Sequence, residues 1–247
     1  MTPDATIPGL ELRLLGGIEL RGASPAGADK VLAQSKAVAL LAFLALSPDR
    51  GFQRRDLIVG LLWPELDQAH ARAALRKVVY EVRGLLGPEV VASRGDDDLA
   101  ILPDVLRCDV EGFNAACDRG RLVHALELYR GEFMPGFFLT GCLEFERWVD
   151  DQRTSGRERA AAASWALAQT FEGENQFSNA GSWARRTVRH AWNDERVLRR
   201  ALAMLDRIGD RAGAVKLYED FAARLRADLD VEPSPETSAL VKTIRTR

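Results

Sequence analysis

The spacing of hydrophobic positions changes several times along the chain. Over "LELRLLGGIEL" (10–20), Leu10, Leu12 and Leu14 alternate with Glu11 and Arg13, and Ile18 and Leu20 follow the Gly16-Gly17 pair. A period of two broken by glycines predicts one or two short strands. The next stretch, "RGASPAGAD", has the composition of a loop. From Ser35 the period becomes helical: "SKAVALLAFLALSPDRG" offers a capping serine, a long apolar run and a stop at Ser47-Pro48. "QRRDLIVGLLWPE" (53–65) predicts a second, short helix ended by Pro64. Asp67 then caps a third and longer one that stops at Gly87-Pro88. "EVVASRGDDDLAIL" (89–102) is two apolar runs around a Gly/Asp turn, which predicts a β-hairpin. Beyond Val105 the pattern is helical almost throughout, and no strand is predicted.

The third helix has two unlike faces. Turned at ~100° per residue, Ala71, Ala74, Leu75, Val78, Val79, Val82, Leu85 and Leu86 share one arc. Arg72, Arg76, Lys77, Tyr80 and Arg83 share the other, with Glu81 at its edge as the one acid. Strands, three helices and a hairpin in that order are the layout of a winged helix-turn-helix. There the third helix buries one side and offers the other to the major groove. Arg72, Arg76 and Lys77 are expected to reach bases and Arg83 the phosphate backbone. Arg54 and Arg55 open the second helix, where cations oppose the helix dipole, and are candidates for phosphate contact. Lys36 and Arg94 are lesser candidates. Trp63-Pro64 reads as structural, the ring closing the small core.

In the C-terminal part the sequence repeats. "GDRAGAVKLY" (209–218) aligns with "NQFSNAGSWA" (175–184), placing Ala214 and Ala180 in one slot at a period of 34 residues. "GRLVHALELY" (120–129) puts Ala125 in the same slot. That period, with Gly or Asn five residues before a small alanine, is the tetratricopeptide signature. The tryptophans Trp148, Trp165, Trp183 and Trp192 sit within helical apolar patterns and read as packing residues.

Composition narrows the function. The 247 residues are 47% hydrophobic and 28% charged, which suits a folded protein of two domains. A formal charge of −2 argues against nucleic-acid binding by bulk charge, so any basic surface must be local. There is no apolar run of ~20 residues and no signal-peptide pattern in "MTPDATIPG"; the expectation is a cytoplasmic protein without membrane attachment. The three cysteines fit neither a disulfide framework nor a zinc site and read as reduced, mostly buried thiols. His70, His124 and His190 lie far apart, without a metal-ligand partner at helical spacing. No phosphate-binding or hydrolase motif is present. We expect no enzyme, no catalytic residue, no metal and no cofactor.

With these pieces in order, the chain resembles the Streptomyces antibiotic regulatory protein family of bacterial transcriptional activators. The residues that carry the likeness are 40–87, "CDVEGF" (108–113), "ALELYRGEFMPGF" (125–137), "FERWVDDQR" (145–153) and "LYEDFAARLRADLDVEPSPETSAL" (217–240). The resemblance implies a mainly α protein. An OmpR-type winged helix-turn-helix with a small β-sheet and wing hairpin would precede an all-α tetratricopeptide-like bacterial transcriptional activator domain. On this reading 1–9 is a disordered N-terminus, 10–104 the DNA-binding domain and 105–247 the activator domain. The implied partners are double-stranded DNA carrying direct repeats near promoters, RNA polymerase holoenzyme and further copies of the chain on DNA. Two features depart from the family pattern. The wing carries Asp96, Asp97 and Asp98 together, and the third helix carries Tyr80-Glu81 where small polar or basic residues are common. Three carboxylates facing phosphates would repel them. A protein-interaction scaffold with weak or no DNA binding, or the N-terminal part of a larger regulator, are the competing expectations.

Overall fold

The alternation over residues 10–20 builds two strands, β1 (Leu10–Arg13) and β2 (Glu19–Arg21), paired antiparallel with Leu12 opposite Leu20. They belong to a computed structural model that describes residues 9–47 and 51–246. The expected disordered stretch, apart from Gly9, and the Pro48 stop lie outside the described residues. The chain divides into two units, Met1–Arg119 with Glu127–Arg153 and Gly120–Leu126 with Thr154–Arg247.

In the first unit the stretch expected to be a loop forms a helix, α1 (Pro25–Leu32). Ser24 caps it, its hydroxyl accepting from the Gly27 amide at 3.2 Å, and Pro25 sits in the first turn. A serine cap followed by proline at the first helical position is a start signal that the surrounding glycines and alanines obscured. Helix α2 (Ser35–Ala45) begins at its expected cap residue, one position earlier than that cap implies. Ser35 is helical, and Gln34 occupies the cap position without a side-chain bond. Residues 37–42, 44 and 45 are all buried, as suits a helix enclosed on every side. The second predicted helix is shorter than expected. Gln53 and Arg54 form strand β3 (Gln53–Arg54), and α3 (Arg55–Leu62) ends at the buried Trp63. Helix α4 (Gln68–Leu86) follows its Asp67 cap as expected and buries Ala71, Leu75, Val79 and Val82.

The hairpin also forms. Strand β4 (Ala92–Arg94) pairs antiparallel with β5 (Asp98–Ala100), and β5 pairs with β3, giving the order β3-β5-β4. A strand follows Val105 where none was predicted: β6 (Leu106–Cys108) lies parallel to β1, completing the order β2-β1-β6. Three residues are too few to display a period. This strand is specified by its partner and by the burial of Leu106 and Cys108.

More of the chain joins this unit than the hairpin boundary suggests. Helix α5 (Asp109–Asp118) starts with a buried carboxylate that accepts from the Leu14 amide at 2.8 Å and the Leu15 amide at 3.1 Å. Burial pushes the Asp109 carboxyl above its ordinary range, against those amide bonds and the Arg130 charge 3.9 Å away. Next to it two backbones cross at Gly16, whose φ is positive, and Gly131. A Cβ on Gly131 would stand 2.8 Å from the Gly16 Cα. Bonds from Gly16 N–H to the Glu132 carbonyl (2.9 Å) and from Met134 N–H to the Leu14 carbonyl (2.7 Å) flank the crossing. Trp148, in the first turns of α7 (Leu143–Gly173), packs its ring 5.6 Å from Phe43, 5.7 Å from Phe133 and 5.3 Å from Phe145. Arg153 secures the same segment by donating to the Phe133 and Met134 carbonyls.

The second unit is all helix. It takes most of α6 (Leu122–Leu128), α7 from Thr154, α8 (Phe177–His190), α9 (Glu195–Arg207), α10 (Arg211–Leu229) and α11 (Pro235–Thr246). The three alanines that define the repeat, Ala125, Ala180 and Ala214, are wholly buried. Around Ala184 and Ala214 the core gathers Val188, Leu198, Leu202, Leu205 and Phe221. Asp194 and Asp210 cap α9 and α10. The Glu195 carboxylate holds the start of α11, accepting from the Ser234 amide and hydroxyl. Its tryptophans are half-buried, and each carries a guanidinium: Arg200 over Trp165 at 4.4 Å, Arg186 over Trp183 at 4.9 Å and Arg224 over Trp192 at 4.3 Å. No helix among the described residues is long and apolar enough to cross a membrane.

Candidate nucleic-acid interface

The outer face of α4 is the candidate surface, and its residues are held in unlike ways. Asp67 fixes the helix start, its carboxylate accepting from the Ala69 (3.0 Å) and His70 (3.1 Å) amides. The His70 amide and ring hold Asp67 below the usual carboxylate range. One turn on, Arg72 is not free to extend. Its guanidinium donates to Asp56 of α3 at 2.7 Å and lies 3.6 Å from Asp97 of the wing. The bond to Asp56 raises Arg72 above its ordinary value, and the same bond, with one from Gln68, lowers Asp56. At the far end Arg83 turns back to the wing. It donates to the Val91 carbonyl at 2.9 Å through Nε and to the Ser93 hydroxyl at 2.8 Å. The sequence expectation places Arg72 at bases and Arg83 at phosphates; here both donate to acceptors within the protein.

Between them Arg76, Lys77 and Tyr80 stand clear. Arg76 is exposed, with no ion-pair partner among the described residues. The Lys77 side chain is 78% exposed, with Glu81 at 4.0 Å, and Tyr80 is 80% exposed. An apolar stripe at positions 71, 75, 79 and 82 points α4 inward, so positions 76, 77 and 80 must point away from the core.

The remaining candidates divide. Arg54 is exposed at the cap position of α3. Arg55 opens that helix and donates its amide to the Asp97 carbonyl at 2.7 Å. Its Nε is buried without a hydrogen-bond acceptor. Burial, then the charges of Arg83, Arg72 and Arg76, push the Arg55 guanidinium below its ordinary value, opposed by Asp96. Arg94 is occupied: it stacks on Phe52 at 4.6 Å and pairs with Asp98 at 2.8 Å. Lys36 does not join the others. Its ammonium bonds the Leu62 carbonyl, lies 3.2 Å from the Cys142 sulfur and sits over the Trp63 ring. That places it in the support beneath α3 and α4.

Sequence reading missed the residues that organise this face, Asp56, Phe52 and Ser93. Each acts on a partner far along the chain, so no local spacing marked it. The acidic wing is also not bare: Asp98 pairs with Arg94 and Asp97 lies beside Arg72. Among the described residues no group of three or more His, Cys, Asp or Glu side chains could hold a metal ion.

Known proteins resemble this chain in two ways. The family model of the bacterial transcriptional activator domain matches residues 111–245. Among solved structures, Mycobacterium tuberculosis EmbR in complex with low affinity phosphopeptide is similar with a TM-score of 0.62 at 22% identity. That match covers 96% of this chain, which spans 65% of the length of the EmbR chain. At this identity the likeness is one of fold. No curated protein sequence matches the chain.

Proposed function

The chain belongs to the bacterial transcriptional activator domain family, a transcriptional regulator of the Streptomyces antibiotic regulatory protein type, and from that premise we propose that it activates transcription by binding specific DNA sites. The observation that carries the proposal is the row Arg76, Lys77 and Tyr80, exposed on the outer face of α4. Arginine and lysine read guanine edges, and a tyrosine ring contacts thymine methyls or phosphates. Arg54 and Arg55 at the start of α3 supply phosphate contacts. Arg72 and Arg83, held by the wing and by α3, set the position of α4 against them.

Functionally we assign 10–104 to DNA binding and 105–247 to activation. The protein acts in the cytoplasm, binds direct repeats near promoters as a homo-oligomer and presents its helical repeats to RNA polymerase holoenzyme. A specific interface of this kind engages half-sites about one DNA turn apart.

Selection of bound duplexes from a random pool at low salt tests the reading. Enrichment of a direct repeat, lost in the Arg76→Ala/Lys77→Ala protein, is the expected result. No enrichment above background would favour an interaction scaffold over a DNA reader.

A further inference from the structure

We infer that the cleft between the start of α3, the outer face of α4 and the wing is a site for one phosphate of the DNA backbone, and that the Asp96 and Asp97 carboxylates of the wing stand in for that phosphate in the free protein. The inference rests on the DNA-binding reading and adds what must leave when DNA arrives.

The cleft encloses about 680 Å³ and is lined by Arg55, Arg72, Arg76, Tyr80, Arg83 and Asp96. Four guanidinium groups around one space repel each other, and burial strengthens the repulsion. Two of the four are satisfied elsewhere, Arg72 by Asp56 and Arg83 by Val91 and Ser93. Arg55 and Arg76 are held less: Arg55 reaches the Ser93 hydroxyl through Nη2 at 3.4 Å but keeps a buried Nε with no acceptor, and a buried donor left unpaired is costly. A second anionic acceptor is therefore wanted here. A phosphate suits the place, because its oxygens take two parallel bonds from a guanidinium.

The wing already supplies a partial substitute. Asp96 lines the cleft and opposes the repulsion that the other arginines exert on Arg55. Asp97 lies 3.6 Å from Arg72, and its carbonyl takes the Arg55 amide at 2.7 Å, which fastens the hairpin tip to the start of α3. Neither carboxylate is within bonding distance of the Arg55 side chain. Asp98, the third acid, is committed to Arg94 and faces another partner. The acidic wing is thus a set of internal counter-ions that lowers affinity for any DNA. Binding to non-specific duplex is weakened, and of the base-reading row only Lys77 lies outside the cleft.

The test uses the full chain and a labelled random-sequence duplex, with affinity followed by anisotropy from low to moderate KCl. Asp96→Asn is expected to tighten binding about two- to fivefold, the range of one exposed charge pair, without changing the salt slope. Arg55→Gln is expected to weaken binding and to flatten the slope by about 0.9, the contribution of one phosphate. In the Arg55→Gln protein the Asp96→Asn gain should vanish. Glu19→Gln, the same charge change on strand β2 of the other sheet, should gain less than Asp96→Asn. An Asp96→Asn protein that binds equally or more weakly, an unchanged slope in Arg55→Gln, or an equal gain from Glu19→Gln would each overturn the inference. If inorganic phosphate displaces duplex no better than chloride at equal ionic strength, the site prefers the backbone; displacement by inorganic phosphate that Arg55→Gln does not alter would also overturn it. A wild-type protein that binds no duplex at low salt removes the underlying reading itself, whereas the other failures leave that reading standing.

Discussion

The two units are closed in different ways. The first is tied by single polar contacts between residues far apart in sequence: Asp109 to the Leu14 and Leu15 amides, Arg83 to Val91 and Ser93, Arg72 to both Asp56 and Asp97. The second repeats one local device, a wholly buried small alanine, with arginines laid over tryptophan rings as well as paired between helices, Arg185 with Asp210, Arg207 with Glu172 and Arg245 with Glu219. Arginine shows the contrast within one residue type. Around α4 it is positioned by acceptors, which fixes direction; on the second unit's tryptophans it is a flat cover, which fills space. A surface that must meet a partner in one register needs the first kind of hold, whereas the stack of hairpins combines the second with ion pairs between helices.

The contrast is broken most directly at Asp109. Asp109→Ala leaves two buried amides without an acceptor, and the expected loss is about 3 kcal/mol or more of stability, read by urea denaturation. A loss under about 1 kcal/mol would mean that long-range polar ties do not close the first unit. The matching change in the second unit is Ala214→Leu, which forces extra volume into a wholly buried crossing. About 1–3 kcal/mol should be lost, and a tolerated leucine would show that the helices can move apart there.

His190 sharpens the comparison by pH. Burial, helped by the Arg186 and Arg189 charges, lowers its pKa from 6.5 to about 4. Between those values the unfolded chain holds a proton that the folded one does not, so stability is full above pH 6.5 and falls as pH drops toward 4. Because the ring is partly reached by water, the slope should be about 1 kcal/mol per pH unit at most. His190→Gln should flatten the pH profile of the denaturation midpoint in that window; an unchanged profile would place the titration elsewhere. The smallest effect is expected at Arg200→Ala, about 0.5–1 kcal/mol for the lost cover on Trp165. A larger loss in thermal melts would show that these guanidinium groups hold the unit together.

What could be read from the sequence follows the same division. The repeat alanines, the Asp67 cap, the two faces of α4 and the wing hairpin are local patterns, and each appears where the spacing placed it. Helix α1 was missed because its Ser-Pro start lies among glycines and alanines that carry little periodicity. Strand β6 was missed because three residues show no period and their partner lies far upstream. Of the candidate site, the sequence separates Arg76, Lys77 and Tyr80 from the core. It does not separate them from Arg72, Arg83, Arg94 and Lys36, whose commitments depend on Asp56, Val91, Asp98 and Leu62.

The close crossing at Gly16 and Gly131 bears on how the protein can be cut. A fragment ended at residue 104 loses β6 and the segment bonded to Gly16, leaving the β1 backbone bare along one whole side. Bare strand edges recruit other strands, so that fragment should self-associate through β1, whereas one carried through Arg153 keeps the edge capped. The unit that carries α4 is finished by residues that follow 104 in the chain.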